Sequence, residues 1–306
     1  MIWILLIITV VILGGSYYAY RVAFFSPAEN REKNPSIDGT IYEPYREKIT
    51  AIFRKLQARP YEDVYIKSHD GLTLYGRYYH TADNAPLAIG FHGYRSSYLT
   101  DFCGGSDLSI SQGQNLLLID QRAHGRSQGR TISFGINERK DLLRWIDYAL
   151  ERFGREIPIL LYGVSMGGAT VLMASGEALP ANVKGIVADC PYSVPLDIIA
   201  DVGKKMKFPT AFTKFFVPLG ARIFGGFDIR QTDAIRAVKK ASVPILIIHG
   251  EDDRFVPAAM SEQVRQVNPS LVRRHTFPGA GHAMSYLVDT ERYWQIVSEF
   301  MKEVLA

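Results

Sequence analysis

The sequence has little cysteine and lacks the short motifs that mark common cofactor sites. Its 306 residues include two cysteines, Cys103 and Cys190, which lack the close spacing of metal ligands and are too few to form a disulfide framework. The redox state of the compartment is therefore left open. The HExxH zinc motif and the Walker and Rossmann fingerprints are also absent. We accordingly expect neither a cofactor nor a metal site.

Charge of one sign is not concentrated anywhere in the chain. The net charge of +4 is small and spread out, which argues against a nucleic-acid partner. Internal repeats, low-complexity tracts and blocks of like charge are absent as well. The hydrophobic content of 47% and the charged content of 22% are ordinary for a globular protein. A chain of this length can bury a large core, in one α/β domain or in two smaller ones.

The N-terminal stretch has no charged side chain before Arg21, and residues 2–13 are almost entirely apolar. An uncharged segment over residues 2–20 is about long enough to span a bilayer. A cleaved signal peptide usually begins with basic residues, which are missing here, although Gly14-Gly15-Ser16 resembles a cleavage site. We therefore predict a single-pass N-terminal anchor in the cell membrane. A signal peptide and a buried core helix are the alternatives.

The sequence leaves open which side of the membrane the rest of the chain occupies. Arg21, Arg31 and Lys33 follow the segment and no Lys or Arg precedes it, which favours a cytoplasmic domain. Long domains are nevertheless exported regardless of flanking charge. On either side, we expect the later part of the chain to build its core without residues 1–25, because it has strands and helices of its own.

Residues 26–60 predict a linker followed by an amphipathic helix. Proline, asparagine, serine and charged residues over 26–40 are typical of a linker, and apolar residues over about 44–58 recur at helical spacing. The next stretch, EDVYIKSHDGLTLYGRYY, alternates around Asp70-Gly71. This pattern predicts a β-hairpin over 62–79.

Apolar strands alternate with helices in the rest of the chain. The predicted strands are 87–91, 115–119, 157–162, 183–188, 245–248 and 271–276, and the predicted helices are about 136–153, 168–178, 232–241, 258–267 and 289–304. Such alternation is typical of the α/β class, with a mostly parallel central sheet flanked by helices. Ligands bind at the carboxyl ends of such strands, so a functional site is expected in the loops that follow them.

The sequence LLYGVSMGGAT places Ser165 between a predicted strand and a predicted helix. Gly163 and Gly167 allow a sharp turn, which would expose the serine hydroxyl above the sheet and bring free helix N–H groups beside it. The Gly-x-Ser-x-Gly pattern is a weak signal by itself, since a glycine-rich turn would look the same. Whether Ser165 is predicted to be a nucleophile therefore depends on the residues in the other loops.

The loop GFHGYRSS, residues 90–97, follows an early strand. Attack by a serine on an acyl group creates a tetrahedral oxyanion, which needs at least two N–H donors fixed in advance. One would come from Met166, directly after the serine, and the second from Tyr94 in this loop. We interpret His92 in the same loop as a structural residue.

Loops after two later strands carry an acid and a histidine. In ILIIHGEDDRFVP, either Asp252 or Asp253 would hold a histidine base in one tautomer, although a polar turn or a helix N-cap would use the same residues. His282 lies between two glycines in FPGAGHAMS. It follows the serine and the acid in chain order, as in one fold that carries a catalytic triad.

These motifs in this order resemble the α/β-hydrolases, and within them the small serine hydrolases of the membrane-anchored Bem46 and YqkD types. The resemblance covers about residues 60–305 and depends jointly on the serine turn, HGYRSS, LLIDQRAHGRSQG and HGEDDRFVP. The family's His-Gly-x-x-Asp-x-x-Val-Pro spacing falls on Asp253. Ala123 stands where many members have glycine, which concerns loop packing. We expect Arg122 and His124 beside it to be structural.

The resemblance implies an α/β-hydrolase domain over residues 61–306, attached to an N-terminal transmembrane helix over 1–25. A short helical lid would be inserted at about 191–242. This insertion combines phenylalanines with lysines, so its apolar residues would pack the lid itself, line a substrate pocket or face a membrane. Cys190 precedes the insertion, and no neighbouring base marks it as a nucleophile.

The predicted activity is hydrolysis of a carboxylic ester through an acyl-enzyme. Ser165 would attack the acyl carbonyl, His282 would take its proton, Asp253 would orient the histidine, and the N–H groups of Tyr94 and Met166 would hold the oxyanion. The partners implied are a small-molecule acyl substrate and a membrane, without cofactor or nucleic acid. A peptidase or an acyltransferase would use the same residues. A non-catalytic binding module is the alternative of another class.

Overall fold

The structure, a computed structural model, describes residues 2–27 and 42–306. The predicted linker over 26–40 therefore falls mostly outside the described residues, as do Arg31 and Lys33. The predicted helix at about 44–58 is present as Arg46–Gln57, preceded by a short 3-10 helix over Glu43–Tyr45.

Within these ranges, eight strands form one sheet in the order β1-β2-β4-β3-β5-β6-β7-β8. They are β1 Glu62–Lys67, β2 Thr73–Tyr79, β3 Leu87–Phe91, β4 Asn115–Asp120, β5 Ile159–Val164, β6 Val183–Asp189, β7 Ile245–Gly250 and β8 Val272–Phe277. The β1–β2 hairpin joins β4 in antiparallel fashion, and all later pairs are parallel. The predicted mostly parallel sheet is confirmed.

Helices cover both faces of this sheet. They are α1 Ile2–Ala23, α2 Arg46–Gln57, α3 Tyr98–Asp101, α4 Cys103–Ser111, α5 Glu138–Phe153, α6 Met166–Ala174, α7 Pro195–Lys205, α8 Thr210–Ile223, α9 Ala234–Val238, α10 Ala258–Val267, α11 Ser285–Val288 and α12 Thr290–Leu305. Helices α3, α4 and α11 were not predicted from the sequence. The sequence of α4, CGGSDLSIS, has two glycines and three serines, which are poor helix formers.

Alternating side chains of the buried strands pack against the helices of opposite faces. On β4, Leu117 and Ile119 join the cluster under α5 and α6, whereas Leu116 and Leu118 join the cluster under α4 and α12. The largest fully buried side chain, Trp145, comes from α5. Burial of each large apolar side chain stabilises the fold by about 1.5–3 kcal/mol, so both faces contribute to one core.

Strand β5 ends two residues later, and helix α6 begins two residues earlier, than the sequence predicts. The strand runs to Val164 and the helix begins at Met166, so Ser165 alone connects them. We predicted a helix start at 168 because residues 168–178 are rich in Ala, Met, Leu and Val. This predicted start was wrong, because both Gly167 and Gly168 lie inside the first turn of α6. The carbonyl of Phe91 leaves no room for a larger side chain at Gly167, and a Cβ on Gly168 would lie 3.1 Å from the carbonyl of Asp189.

Helix α1 has two parts with different surroundings. Its first part is exposed to solvent: the large apolar side chains from Ile2 to Leu13 are mostly 42–78% exposed. Within the described ranges, α1 is the one helix that is long and apolar enough to cross a membrane. Such length and composition also fit a signal sequence or a core helix.

The second part of α1 is buried in the domain, which corrects one expectation. Ser16, Ala19 and Tyr20 are buried, and Phe24 directly after the helix is 0% exposed. The ring of Phe24 packs edge-on against Phe134 and Phe227, with ring centroids 5.8 and 5.2 Å away. The expectation that the later chain builds its core without residues 1–25 is therefore wrong. An apolar run in sequence does not reveal that its last turns contact protein.

Candidate active site

Ser165 lies at the carboxyl end of β5 in a strained backbone conformation, with φ +55° and ψ −114°. Its N–H donates to the carbonyl of Asp189 at 2.8 Å, which ties the turn to the end of β6. A Cβ on Gly163 would overlap the backbone of Gly167, and one on Gly167 would overlap the carbonyl of Phe91. Both glycines are therefore needed for the turn that presents the hydroxyl.

His282 lies within hydrogen-bond distance of this serine, and Asp253 lies within hydrogen-bond distance of His282. The distance from His282 Nε2 to Ser165 Oγ is 2.9 Å, and that from His282 Nδ1 to Asp253 Oδ2 is 2.7 Å. The loops after β7 and β8 hold these side chains, so parallel neighbouring strands bring them to the same edge of the sheet as β5. Three residues that the sequence singled out thus form one hydrogen-bonded chain.

The Asp253 carboxylate is fully buried and fully hydrogen-bonded. Its Oδ1 accepts the N–H groups of Phe255 and Val256, each at 2.8 Å. Its Oδ2 lies 3.3 Å from His249 Nε2 as well as beside His282. Burial by itself would raise the pKa of Asp253, but the hydrogen bonds from both histidines hold that pKa well below its ordinary value. The group is therefore an anion that can orient an imidazole.

Asp252, the alternative acid, is exposed, and its N–H donates to the carbonyl of Ala280 at 3.0 Å. This bond turns the chain so that the next residue, Asp253, points inward. The geometry thus separates two adjacent aspartates into a surface residue and a site residue.

The two backbone N–H groups expected to bind an oxyanion belong to Tyr94, in the loop after β3, and to Met166, at the start of α6. In the described part of the chain, the N–H of Tyr94 and the N–H of Met166 donate to no protein acceptor. Gly93 next to Tyr94 donates its N–H to Asp101 Oδ2 at 2.5 Å, and Ser96 Oγ donates to the other oxygen at 2.6 Å. One carboxylate therefore fixes the loop that carries Tyr94.

Two further histidines, His92 and His124, and Arg122 between them in sequence are held by contacts with neighbouring loops. His92 Nε2 accepts the N–H of Gln121 at 3.1 Å, and His124 Nε2 accepts the N–H of Arg95 at 2.9 Å. Arg122 binds the carboxylates of Asp141 and Asp70. These contacts join neighbouring loops rather than reach Ser165, in line with the structural roles expected for the three residues.

A family model described as the alpha/beta hydrolase fold matches residues 90–223. The uncharacterised protein YqkD of Bacillus subtilis is 27% identical over 63% of this chain and 64% of its own, just under two thirds of its length. A monoglyceride lipase of Saccharomyces cerevisiae is 26% identical over 70% of this chain and 82% of its own. A Pyrococcus furiosus esterase structure superposes with a TM-score of 0.66 at 22% identity, covering 89% of this chain and 98% of that one. The chain has the α/β-hydrolase fold.

A cavity of about 260 Å³ opens beside Ser165. Met166 and Tyr94 line it next to the serine, and apolar side chains of α7 and α8 form much of its wall, among them Ile198, Val202 and Val217. These helices lie within the segment 191–242, where the sequence predicts two or three helices. A cavity of this kind accommodates an apolar group next to the hydroxyl.

Cys190 lies close to the site without the properties of a nucleophile. Its Sγ is 4.0 Å from His282 Nε2, and the side chain is completely buried. Burial raises the pKa of the thiol, so it stays protonated. With Asp253 and His282 it forms a group of potential metal ligands, but the imidazole already bridges Asp253 and Ser165.

Sequence reasoning missed Asp189, the last residue of β6. Besides accepting the Ser165 N–H on its carbonyl, it has a buried carboxyl whose Oδ2 accepts the hydroxyl of Tyr293 at 3.1 Å. Its Oδ1 has no partner among the described residues. Burial raises the pKa of Asp189 from 3.8 to about 7. An acid at the end of an apolar strand was the only available signal.

We expect Asp189→Asn to remove a pH dependence of stability. The folded protein holds the Asp189 proton where the unfolded chain has released it, so its stability falls as pH rises from about 4 to 7. Asparagine keeps an oxygen for Tyr293 and carries no charge. The variant should therefore gain up to about 4 kcal/mol over the native protein at pH 8 compared with pH 4. Urea unfolding at both pH values measures the difference, and an equal gain at both would contradict it.

Proposed function

We propose that this α/β-hydrolase is a membrane-anchored serine esterase that hydrolyses a carboxylic ester with an apolar acyl group. The single observation that carries the proposal is the continuous hydrogen-bonded chain from Asp253 through His282 to Ser165. Activation of a serine hydroxyl requires a base in contact with it and a third group that orients the base. The names of an esterase and a lipase among similar proteins agree with the same chemistry.

The reaction would proceed in two halves. Ser165 Oγ attacks the acyl carbon while His282 Nε2 takes its proton, and the N–H groups of Tyr94 and Met166 bind the oxyanion. Collapse of this intermediate breaks the bond to the alcohol, which leaves with the proton from His282. Water then attacks the acyl-serine in the same way. The products are a carboxylic acid and free Ser165.

Two observations favour this proposal over a binding module and over a peptidase. A binding module has no use for a serine at φ +55° with a histidine 2.9 Å away, because such strain destabilises the fold. A peptidase or an acyltransferase would use the same three side chains. The apolar cavity beside Ser165 suits an apolar acyl chain better than a peptide, whose backbone amides need hydrogen-bond partners.

The experiment that tests the activity combines labelling with a substrate panel. A fluorophosphonate probe should label the native protein at Ser165, because the probe reacts only with an activated serine. Purified protein should then be assayed on matched esters, thioesters and peptides. We expect labelling and faster turnover of esters than of peptides. Absence of labelling would exclude a serine hydrolase, and faster peptide cleavage would favour the peptidase.

The exposure of apolar side chains in the first part of α1 supports its interpretation as a membrane anchor. Its apolar side chains would be costly in water, and a core helix would bury them. A signal peptidase cut at Gly14-Gly15-Ser16 would leave a charged amine next to Ser16, which is 0% exposed against α8. Burial of an unpaired charge is costly. We therefore propose that α1 is retained as a single-pass anchor.

Two truncations should separate the two parts of α1. The full-length protein should pellet with membranes and resist carbonate extraction. Deletion of residues 2–13 should give a soluble protein that keeps its esterase activity, because these residues are exposed. Deletion of residues 1–25 should give an unstable, inactive protein, because it removes Tyr20 and Phe24 from the core. Full activity after the longer deletion would contradict this division.

A further inference from the structure

We propose that helix α1 is part of the substrate site: its last turns form one wall of the acyl cavity, and the acyl chain reaches Ser165 from the bilayer beside it. This inference rests on the esterase activity and the anchoring proposed above. It names the substrate class as an ester of a long-chain fatty acid that resides in the membrane.

The wall is built from one face of α1. Tyr18, Ala19, Val22 and Ala23 line the same cavity as Ser165. Positions separated by four residues lie on one side of a helix, so these side chains form a continuous stripe. This stripe of α1 thus gives the cavity a wall that a hydrolase without this helix would lack.

The end of α1 is also bonded to the loop that carries a proposed oxyanion donor. The last carbonyls of a helix have no partner within it. Here the hydroxyl of Tyr94 donates to the carbonyl of Ala23 at 2.9 Å, and the guanidinium of Arg95 donates to the carbonyls of Val22 and Phe25 at 3.0 and 3.1 Å. Movement of α1 would therefore shift the loop beside Ser165.

Close packing keeps this wall in place. Gly220 of α8 allows the two helices to touch, because a Cβ there would overlap the carbonyl of Ser16. A Cβ on Gly15 would lie 2.5 Å from the ring of Phe216. Beyond the helix, the N–H of Ser26 donates to the carbonyl of Arg130 at 2.9 Å. Contacts before and after the cavity-lining residues 18–23 thus fix α1 to the domain.

The exposed part of α1 leads into its buried part without a break, which places the cavity opening at the bilayer. The large apolar side chains of residues 2–13 are mostly exposed, and Ser16, Ala19 and Tyr20 of the same helix are buried in the domain. A membrane helix that enters its domain without a linker leaves that domain no room to move away from the membrane. The face of the domain around α1 should therefore lie against the membrane.

The side chains at the cavity opening suit such contact. Tyr18, Met206 and Phe255 line the cavity and are yet 50%, 53% and 44% exposed, so they form its rim. Phe215 and Phe224 of the α8 region are a further 50% and 37% exposed. Exposed apolar side chains grouped around a membrane helix mark a lipid-facing surface. An acyl chain would thus pass from lipid into the cavity without crossing water.

A matched pair of substitutions on α1 tests the wall. Val22→Phe fills the cavity, whereas Val11→Phe makes the same change 11 residues earlier, on an exposed side chain. Full-length protein in phosphatidylcholine vesicles is assayed on p-nitrophenyl palmitate and p-nitrophenyl acetate. Val22→Phe should lower the palmitate-to-acetate ratio of kcat/KM at least about tenfold, since a methylene in an apolar pocket has effects of that size. Val11→Phe should leave the ratio unchanged.

Val22→Ala keeps the test valid if the larger side chain prevents folding, because it widens the cavity and should also change the ratio. An unchanged ratio in every folded Val22 variant would contradict the proposal that α1 forms a wall of the cavity.

A second experiment tests whether the acyl chain enters from the bilayer. The palmitate ester is placed either in the vesicles that contain the enzyme or in separate vesicles. Faster hydrolysis in shared vesicles is expected, and equal rates would overturn access from the bilayer. A native protein inactive on both esters would instead refute the proposed esterase.

Discussion

Ser165→Ala is expected to lower kcat/KM for a p-nitrophenyl ester by at least about 10³-fold. The substitution removes the oxygen that lies 2.9 Å from His282 Nε2, and with it the only acceptor of the acyl group in the proposed reaction. Loss of one triad member typically leaves only the catalysis provided by the oxyanion donors and by binding. Stopped-flow or steady-state release of p-nitrophenol from the purified variant measures the loss.

The fold of this variant should be intact, so that the loss can be assigned to chemistry. The Ser165 hydroxyl caps no helix N–H, and alanine experiences the same positive φ as serine. Unfolding free energy should change by less than about 1 kcal/mol. Ser175→Ala is a suitable control, because that buried hydroxyl lies at the end of α6, away from the cavity, and donates to the carbonyl of Leu172 at 2.7 Å. Substantial hydrolysis by Ser165→Ala would show that another group is the nucleophile.

Most of the parallel strands were predictable because they are short apolar runs that are buried on both faces. The exception is the edge strand β8, whose sequence VRRHTF is largely polar and only partly buried. Predicted and observed bounds agree fully for β3, and within two residues for β5 to β8. Chain order and loop position were then enough to bring Ser165, Asp253 and His282 to one edge of the sheet. The choice of Asp253 over Asp252 came from the resemblance, through the family's spacing to the following Val-Pro. The structure supplies a physical reason, since Asp253 is buried and Asp252 is exposed.

Contacts between distant segments could not be predicted in the same way. The apolar composition of α1 is the same whether a residue faces lipid or protein, so the burial of its last turns became visible only with α8 in place. The raised pKa of Asp189 likewise depends on α12, which covers the carboxyl and supplies Tyr293 about a hundred positions later. Helix α4 escaped notice because tertiary packing of Leu108 overrides its glycines and serines.

Asp253→Asn is expected to lower kcat/KM about 10⁴-fold, while Asp252→Asn should leave it nearly unchanged. The two residues are adjacent and the changes are identical, so each variant is the control for the other. Asparagine at 253 would keep its oxygen toward the N–H groups of Phe255 and Val256, since both are donors. Its NH2 group would then point at His282 Nδ1, where Asp253 Oδ2 lies at 2.7 Å.

An NH2 group at that place can donate only to an Nδ1 without a proton. The proton of the neutral imidazole would therefore move to Nε2, which could no longer accept the proton of Ser165. The same exchange in a serine protease triad costs about 10⁴-fold in kcat with the geometry intact. Asp252 is exposed and contributes its backbone N–H, which asparagine retains. Assays of both purified variants at pH 8 decide the matter: equal losses, or a larger loss at Asp252, would show that Asp253 does not orient the base.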